Sequence, residues 1–128
     1  MRAAVVIALA GSALAVAPLS LHVHLTRSDP ANGSTMPAAP SAIRLWFNGE
    51  IQINVTTVRV SGPDGAAVEL AAPAMGEGAN PPVVAALRGP MRLGRQQVRW
   101  RTMSRDGHAV SGTFAFALVP TTGTAERR

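Results

Sequence analysis

Apolar and polar residues alternate with a period of two along much of the chain after position 21, and no stretch there keeps a helical period for long. In AIRLWFN, Ile43, Leu45 and Phe47 fall on one face of a predicted strand. The segments QQVRWRTM and GTFAFALV alternate in the same way, and in the first of them Trp100 is predicted to lie in the core. The pattern therefore predicts β-strands that each bury one face.

Turns rich in glycine and proline separate these strands, for example GPDG at positions 62–65. VTTVRVSG, AAVEL and PVVAAL predict further short strands, and APAMGEGANPP predicts a loose loop between the last two. The apolar phase shifts between Val55 and Val58, which predicts a bulge or a two-sided strand. Short strands between tight turns, with no internal repeat, predict an all-β antiparallel sandwich or barrel in one domain.

The first 21 residues, MRAAVVIALAGSALAVAPLSL, carry one basic residue and then an apolar run, which is typical of a secretory signal peptide. The alternative is an uncleaved anchor, since 19 helical residues reach about 28 Å. Small residues favour a cut before Pro18, whereas a cut before His22 leaves Leu19 and Leu21 where small residues are preferred. Both starting points stay open. A cleaved signal and an uncleaved anchor both place the rest of the chain outside the cytoplasm, and residues 120–128 are predicted to be a polar tail.

The composition removes several classes of function. The chain has no cysteine, which excludes disulfides, thiolate metal sites and thiol nucleophiles. Its net charge is +5, but the basic residues form no run and aromatic residues are only 4% of the chain, so nucleic-acid binding is not expected. Arg99 and Arg101 are expected to line one solvated strand face.

Chemistry concentrates on the three histidines, which are His22, His24 and His108. Asp106 precedes His108 by two positions, so both side chains are expected to point to the same side. An alternative interpretation is that Asp106 belongs to an Asp-Gly hairpin turn and His108 is simply an exposed loop residue. For His22 and His24, the alternative is a flexible polar start or a two-residue alternation on an edge strand. Ser104 adds a hydroxyl to this loop, but a catalytic triad is disfavoured because no glycine elbow precedes the serine.

Two blocks of the sequence together resemble the CopC family of copper-resistance proteins. The first is HVHLTRSDPANGSTMPAAPSAIRLWFNGEI and the second is GRQQVRWRTMSRDGHAVSGTFAFALV. The resemblance spans residues 22–119 and implies a Greek-key β-barrel or sandwich of about seven strands, cupredoxin- or immunoglobulin-like, that binds copper in the periplasm. The family's N-terminal histidine falls on His22, and its loop aspartate and histidine fall on Asp106 and His108. Its methionine-rich Cu(I) loop has no counterpart beyond Met75, which implies a Cu(II) protein.

The chemistry of Cu(II) is consistent with this set, because Cu(II) favours tetragonal nitrogen and oxygen donors. His22, as a first residue, supplies an α-amine and a ring nitrogen, His108 a further nitrogen, and Asp106 an oxygen. His24 is an additional candidate for an axial position.

The resulting expectation is a monomeric, non-enzymatic protein that buffers Cu(II) or passes it to a CopD-like inner-membrane importer. Two alternatives stay open. One is a copper-dependent monooxygenase-like enzyme, which needs a flat, usually aromatic surface that this sequence does not predict. The other is a metal-free β-sandwich module for protein contacts.

Overall fold

The structure of the protein, a computed structural model, describes residues 22–120. Within this range it contains nine strands and one short 3-10 helix at Ile53–Val55. The strands are β1 (Leu25–Asp29), β2 (Thr35–Met36), β3 (Ala42–Phe47), β4 (Thr57–Ser61), β5 (Ala67–Val68), β6 (Ala74–Met75), β7 (Val83–Ala86), β8 (Gly94–Met103) and β9 (Ala109–Leu118). The predicted signal peptide, residues 1–21, and nearly all of the predicted tail lie outside the described residues.

The strands form two sheets. One sheet has the order β1-β3-β7-β6 and the other has the order β2-β9-β8-β4-β5. All pairings are antiparallel except the one between β2 and β9, which is parallel. The all-β sandwich predicted from the alternation is therefore confirmed, with six strands of four or more residues and three of only two.

The core lies between the two sheets and is built from the inward faces of the predicted strands. Ile43, Leu45 and Phe47 of β3 are buried, as the alternation predicted. The Trp100 ring of β8 meets the Phe47 ring edge-on, with the ring centroids 5.2 Å apart. The other buried apolar residues along the strands are Ala42, Val58, Val60, Val68, Val83, Ala85, Val98, Phe114, Phe116 and Leu118. Burial of these side chains is the main source of stability in a domain that has no cysteine.

Two local predictions are wrong. The phase shift before Val58 is neither a bulge nor a two-sided strand, because the chain makes the 3-10 turn Ile53–Val55 before β4 begins. The predicted loose loop contains strand β6, which pairs with β7 at Met75↔Val83. Both cases involve one turn or two residues of regular structure, too short to leave a periodic signal.

The described residues include no helix that is long and apolar enough to cross a membrane. The one helix found there is the three-residue 3-10 turn. This finding concerns residues 22–120 only.

Trp100 packs directly on the backbone of β9. Trp100 and Gly112 are cross-strand partners, and a Cβ placed at Gly112 would lie 2.6 Å from Cζ2 of the indole and 2.9 Å from Cε2. Real Cβ atoms are essentially never found this close to a neighbour. Glycine at this position therefore makes room for the buried Trp100 indole.

Replacing Gly112 by alanine should destabilise the domain by about 2–3 kcal/mol, because the new methyl group must displace the buried Trp100 indole, which packs against Phe47. The melting temperature should fall by roughly 10 °C or more for a domain of this size. Thr113→Ala, on the exposed face one residue away, is the matched control and should cost less than about 1 kcal/mol. Equal melting temperatures for Gly112→Ala and the unchanged protein would contradict this packing argument.

Candidate metal centre

The loop that carries two of the candidate ligands joins the two longest strands. Strands β8 and β9 pair over ten residues each, from Gly94↔Leu118 to Met103↔Ala109. The connection between them is residues 104–108, at the end of a long, regular hairpin. A hairpin of this length holds its connecting loop in a defined position, so the loop's side chains are presented from a rigid support.

Asp106 and His108 meet within this loop. The Asp106 Oδ2 atom lies 2.9 Å from Nδ1 of His108, and both side chains are about two-thirds exposed. The segment is a turn rather than the extended strand expected from the sequence. Gly107 has a φ of +92° and its N–H donates to the Ser104 carbonyl at 3.0 Å. The predicted turn and the predicted Asp–His pair are thus both present, and the bend at Gly107 brings the two side chains together.

Ser104 is the buried hub of the loop. Its hydroxyl donates to Asp106 Oδ1 and accepts from the backbone N–H of His108 at 3.2 Å. The hydrogen bond from Ser104 has the largest effect on the pKa of Asp106 and lowers it. Desolvation opposes this effect, but the charge and hydrogen bonds of His108 also lower the pKa, which therefore lies below its usual value. Asp106 is therefore an ionised carboxylate beside the His108 ring at neutral pH. From the sequence, Ser104 was a candidate only as a nucleophile, and this supporting role was not predicted.

The base of the loop is tied to the segment that precedes β4. The backbone N–H of Gln52 donates to the Met103 carbonyl at 2.9 Å, and its side-chain amide donates to the Ser104 carbonyl at 3.0 Å. Below this, the buried hydroxyls of Thr56 and Thr102 share a hydrogen bond of 2.8 Å. These contacts fix the β8 end of the loop to the segment that precedes β4.

The N-terminal segment reaches the same end of the sandwich. Val23 is buried, whereas His22 and His24 on either side of it are exposed. Asn48, directly after β3, clamps this segment: its side-chain oxygen accepts from the His24 N–H at 2.6 Å, and its own N–H donates to the His24 carbonyl at 3.1 Å. Asn48 was not a candidate residue in the sequence, because only the fold brings it to the His24 backbone.

This arrangement brings His22 together with His108. Their rings meet edge-on with the centroids 5.6 Å apart, although the residues are far apart in the sequence. Among residues 22–120, no three His, Asp or Glu side chains already converge closely enough to form a metal cluster. The two rings lie adjacent and exposed, with Asp106 hydrogen-bonded to His108, and binding of one metal ion by all three residues would require side-chain rotations.

The nitrogen and oxygen atoms of these side chains are donors that suit Cu(II). His108 uses Nδ1 toward Asp106, which leaves Nε2 as the ring nitrogen directed away from that contact. Rotation of the exposed Asp106 side chain would make its oxygen a ligand as well. For His24, the hydrogen bonds within the described part of the chain are main-chain contacts with Asn48. The structure thus pairs His22 with His108 and gives His24 no comparable ring contact there.

A cavity of about 620 Å³ opens beside the loop. Arg105 lines it and forms a 2.6 Å ion pair with Glu50, another lining residue. Met75 also lines this cavity and is 44% exposed, more than any other methionine in the described range. A single thioether in an open cavity does not make a soft-metal site, so the candidate centre consists of imidazole and carboxylate donors.

Comparisons with known proteins support a relationship to copper proteins. The model of the CopC domain family matches residues 25–119. Protein YobA of Escherichia coli strain K12 is 27% identical over 97 residues, which are 76% of this chain and 78% of that protein. Copper resistance protein C of Xanthomonas campestris pv. juglandis is 24% identical over 120 residues, which are 90% of this chain and 94% of that protein.

Solved structures show the same fold. CopC from Methylosinus trichosporium OB3b superimposes with a TM-score of 0.67 at 22% identity, covering 81% of this chain and all of that chain. PcoC from Escherichia coli, described as a methionine-rich copper resistance protein, gives a TM-score of 0.62 at 26% identity, covering 77% of this chain and 99% of that one.

Proposed function

The chain belongs to the CopC family, and from that premise we propose that it binds one Cu(II) ion outside the cytoplasm and buffers it or transfers it to a membrane importer. The observation that carries this proposal is the contact between the rings of His22 and His108, beside Asp106. These residues come from opposite ends of the domain's sequence and meet at one end of the sandwich. Relatives named as copper resistance proteins support the assignment of copper as the cargo.

In the proposed site, each residue has a distinct task. His22 provides its ring and, as the first residue of the mature protein, its α-amine. His108 provides Nε2, and Asp106 provides an oxygen and a negative charge that offsets part of the charge of the ion. Ser104 holds the loop closed through its hydrogen bonds to Asp106 and His108, so both residues are presented from a fixed loop.

The proposal describes a carrier rather than an enzyme. A copper monooxygenase acting on polysaccharides needs an exposed aromatic surface, and here Trp100 is buried in the core while Trp46 is covered by the Arg27 guanidinium at 4.3 Å. A monomer that offers its copper at an exposed loop suits transfer to a second protein. A CopD-like inner-membrane protein is the partner that we propose.

Metal choice tests this proposal. The domain starting at His22 should bind one Cu(II) with a tetragonal electron paramagnetic resonance spectrum and bind Cu(I) much more weakly. The reason is that the donors are imidazole, amine and carboxylate, with no cysteine and no group of exposed methionines in the described range. Competition titrations with a chelator for each oxidation state measure both affinities. Tight Cu(I) binding without a Cu(II) signal would refute the proposed function.

A further inference from the structure

A row of arginines lies on the outer face of the five-stranded sheet. Arg95, Arg99 and Arg101 alternate with buried residues along β8, so all three point away from the core. Arg59 of β4 pairs directly with Arg99 and is also exposed. At about 3.4 Å per residue, the arginines on β8 extend over roughly 20 Å. We call these four residues the arginine face.

The arginine face has no carboxylate partner among residues 22–120. The ion pairs found there are Arg92–Asp64, Arg105–Glu50 and His108–Asp106, all at loops. Like charges placed directly opposite on neighbouring strands are destabilising, so the pairing of Arg59 with Arg99 brings a cost without an internal benefit. If the face only contacted solvent, uncharged polar residues or residues of both charges would avoid this repulsion.

Hydroxyl groups surround the arginines and form a shallow groove. Thr57, Ser111 and Thr113 line it together with Arg59 and Arg99, and its volume is about 410 Å³. Ser111 and Thr113 of β9 are the cross-strand partners of Arg101 and Arg99, so these two arginines each have a hydroxyl-bearing residue directly opposite. Guanidinium and hydroxyl groups at regular spacing form a surface suited to carboxylates, which guanidinium groups bind through two hydrogen bonds.

We propose that the arginine face is a docking surface for an acidic segment of a partner protein. Charge complementarity selects an anionic partner, because the face carries four positive charges and the described residues offer no negative charge on it. An anionic bilayer fits less well, since surface-bound proteins commonly insert apolar side chains as well. The exposed large apolar residues of the described range all lie outside β4, β8 and β9; they are Val55, Met75, Leu93 and Val119.

The arginine face lies on the strand that leads to the candidate metal centre. Arg101 lies on β8 three residues before Ser104, where the 104–108 loop begins. A protein that covers the arginine face is therefore guided along β8 toward Asp106 and His108. This second step, the transfer of copper to the docked partner, rests on the proposed function, whereas the docking itself does not.

A fluorescent twelve-residue peptide of alternating Glu and Thr tests the docking, because its carboxylates repeat at the spacing of the arginines on β8. Binding to the metal-free full domain is measured by anisotropy at low and moderate salt. Arg59→Gln/Arg99→Gln should weaken binding about five- to thirtyfold, which corresponds to the loss of two exposed ion pairs. The matched control Arg44→Gln/Arg88→Gln removes the same charge from outside the arginine face and should change binding less than about twofold.

Several outcomes would overturn this inference. They are equal losses in the two double variants, no binding of the peptide at low salt, or binding of the arginine face to phosphatidylglycerol vesicles but not to the peptide. Thermal melting accompanies each titration, and Arg59→Gln/Arg99→Gln should melt no lower than the unchanged protein, since a repulsive pair is removed. Cu(II) affinity should be unchanged in both double variants, so failure of the docking and failure of copper binding remain distinguishable.

Discussion

Replacing His108 by alanine should lower Cu(II) affinity at least about 100-fold and leave the fold intact. The ring is 63% exposed at the tip of the β8–β9 hairpin, so its removal creates no cavity in the core. Loss of a group that merely supports a ligand commonly costs 10–100-fold in metal affinity, and loss of a ligand should cost at least as much. The melting temperature without copper should fall by less than about 3 °C, because the backbone bonds of Ser104 and Gly107 that close the loop remain.

His24→Ala is the matched control for this variant. It removes the same ring from an exposed position at the same end of the domain, but from a residue whose hydrogen bonds in the described range are main-chain contacts with Asn48. Its effect on Cu(II) affinity should stay below about threefold. An equal loss of Cu(II) affinity in His24→Ala and His108→Ala would indicate that His24 is also a copper ligand. A large fall in melting temperature with unchanged copper affinity would show that His108 has a structural role instead.

The strands could be predicted from the sequence because each buries alternate residues against one core. The segment AIRLWF produced a period-two signal over six positions, and the structure buries the expected Ile43, Leu45 and Phe47. The shortest elements could not be predicted in this way. Strand β2 has two residues and pairs with β9 far along the chain, so its existence depends on tertiary contacts rather than on local pattern.

In the candidate site, the proposed metal-binding residues could be predicted from the sequence, but the residues that position them could not. Residue types alone indicated the three histidines and Asp106, since the chain holds few groups that bind a metal, and the resemblance to the CopC family then favoured His22 over His24. The residues that position them could not be found in this way, because serine and asparagine are common in turns for many reasons. Ser104 carried one signal that could have been used, because a serine side chain in a turn can hydrogen-bond to the backbone of neighbouring residues. Asn48 had no such signal, because its partner His24 is 24 positions away.

The free amine of His22 should strengthen Cu(II) binding roughly 10- to 100-fold. The reason is that losing a ligand should cost at least as much affinity as losing a group that only supports a ligand. Two forms of the domain test this expectation, one starting at His22 and one at Pro18, the start favoured by the small-residue rule for signal cleavage. In the longer form an amide replaces the amine, and copper retains the rings of His22 and His108 with Asp106. Val23 and Asn48 hold the segment in the described structure, and both residues are present in the two forms.

The pH dependence separates the amine from the rings. Protons compete with copper for an α-amine up to about pH 8, and only the form starting at His22 has this amine at the site. Between about pH 7 and pH 8, the affinity of this form should therefore rise more steeply with pH than that of the form starting at Pro18. His22→Ala in the shorter form keeps an amine but removes the ring, and should show a weakened site with the same rise. Equal affinities and equal pH profiles for the forms starting at His22 and Pro18 would exclude the terminal amine as a ligand, and His22 would then bind copper through its ring alone.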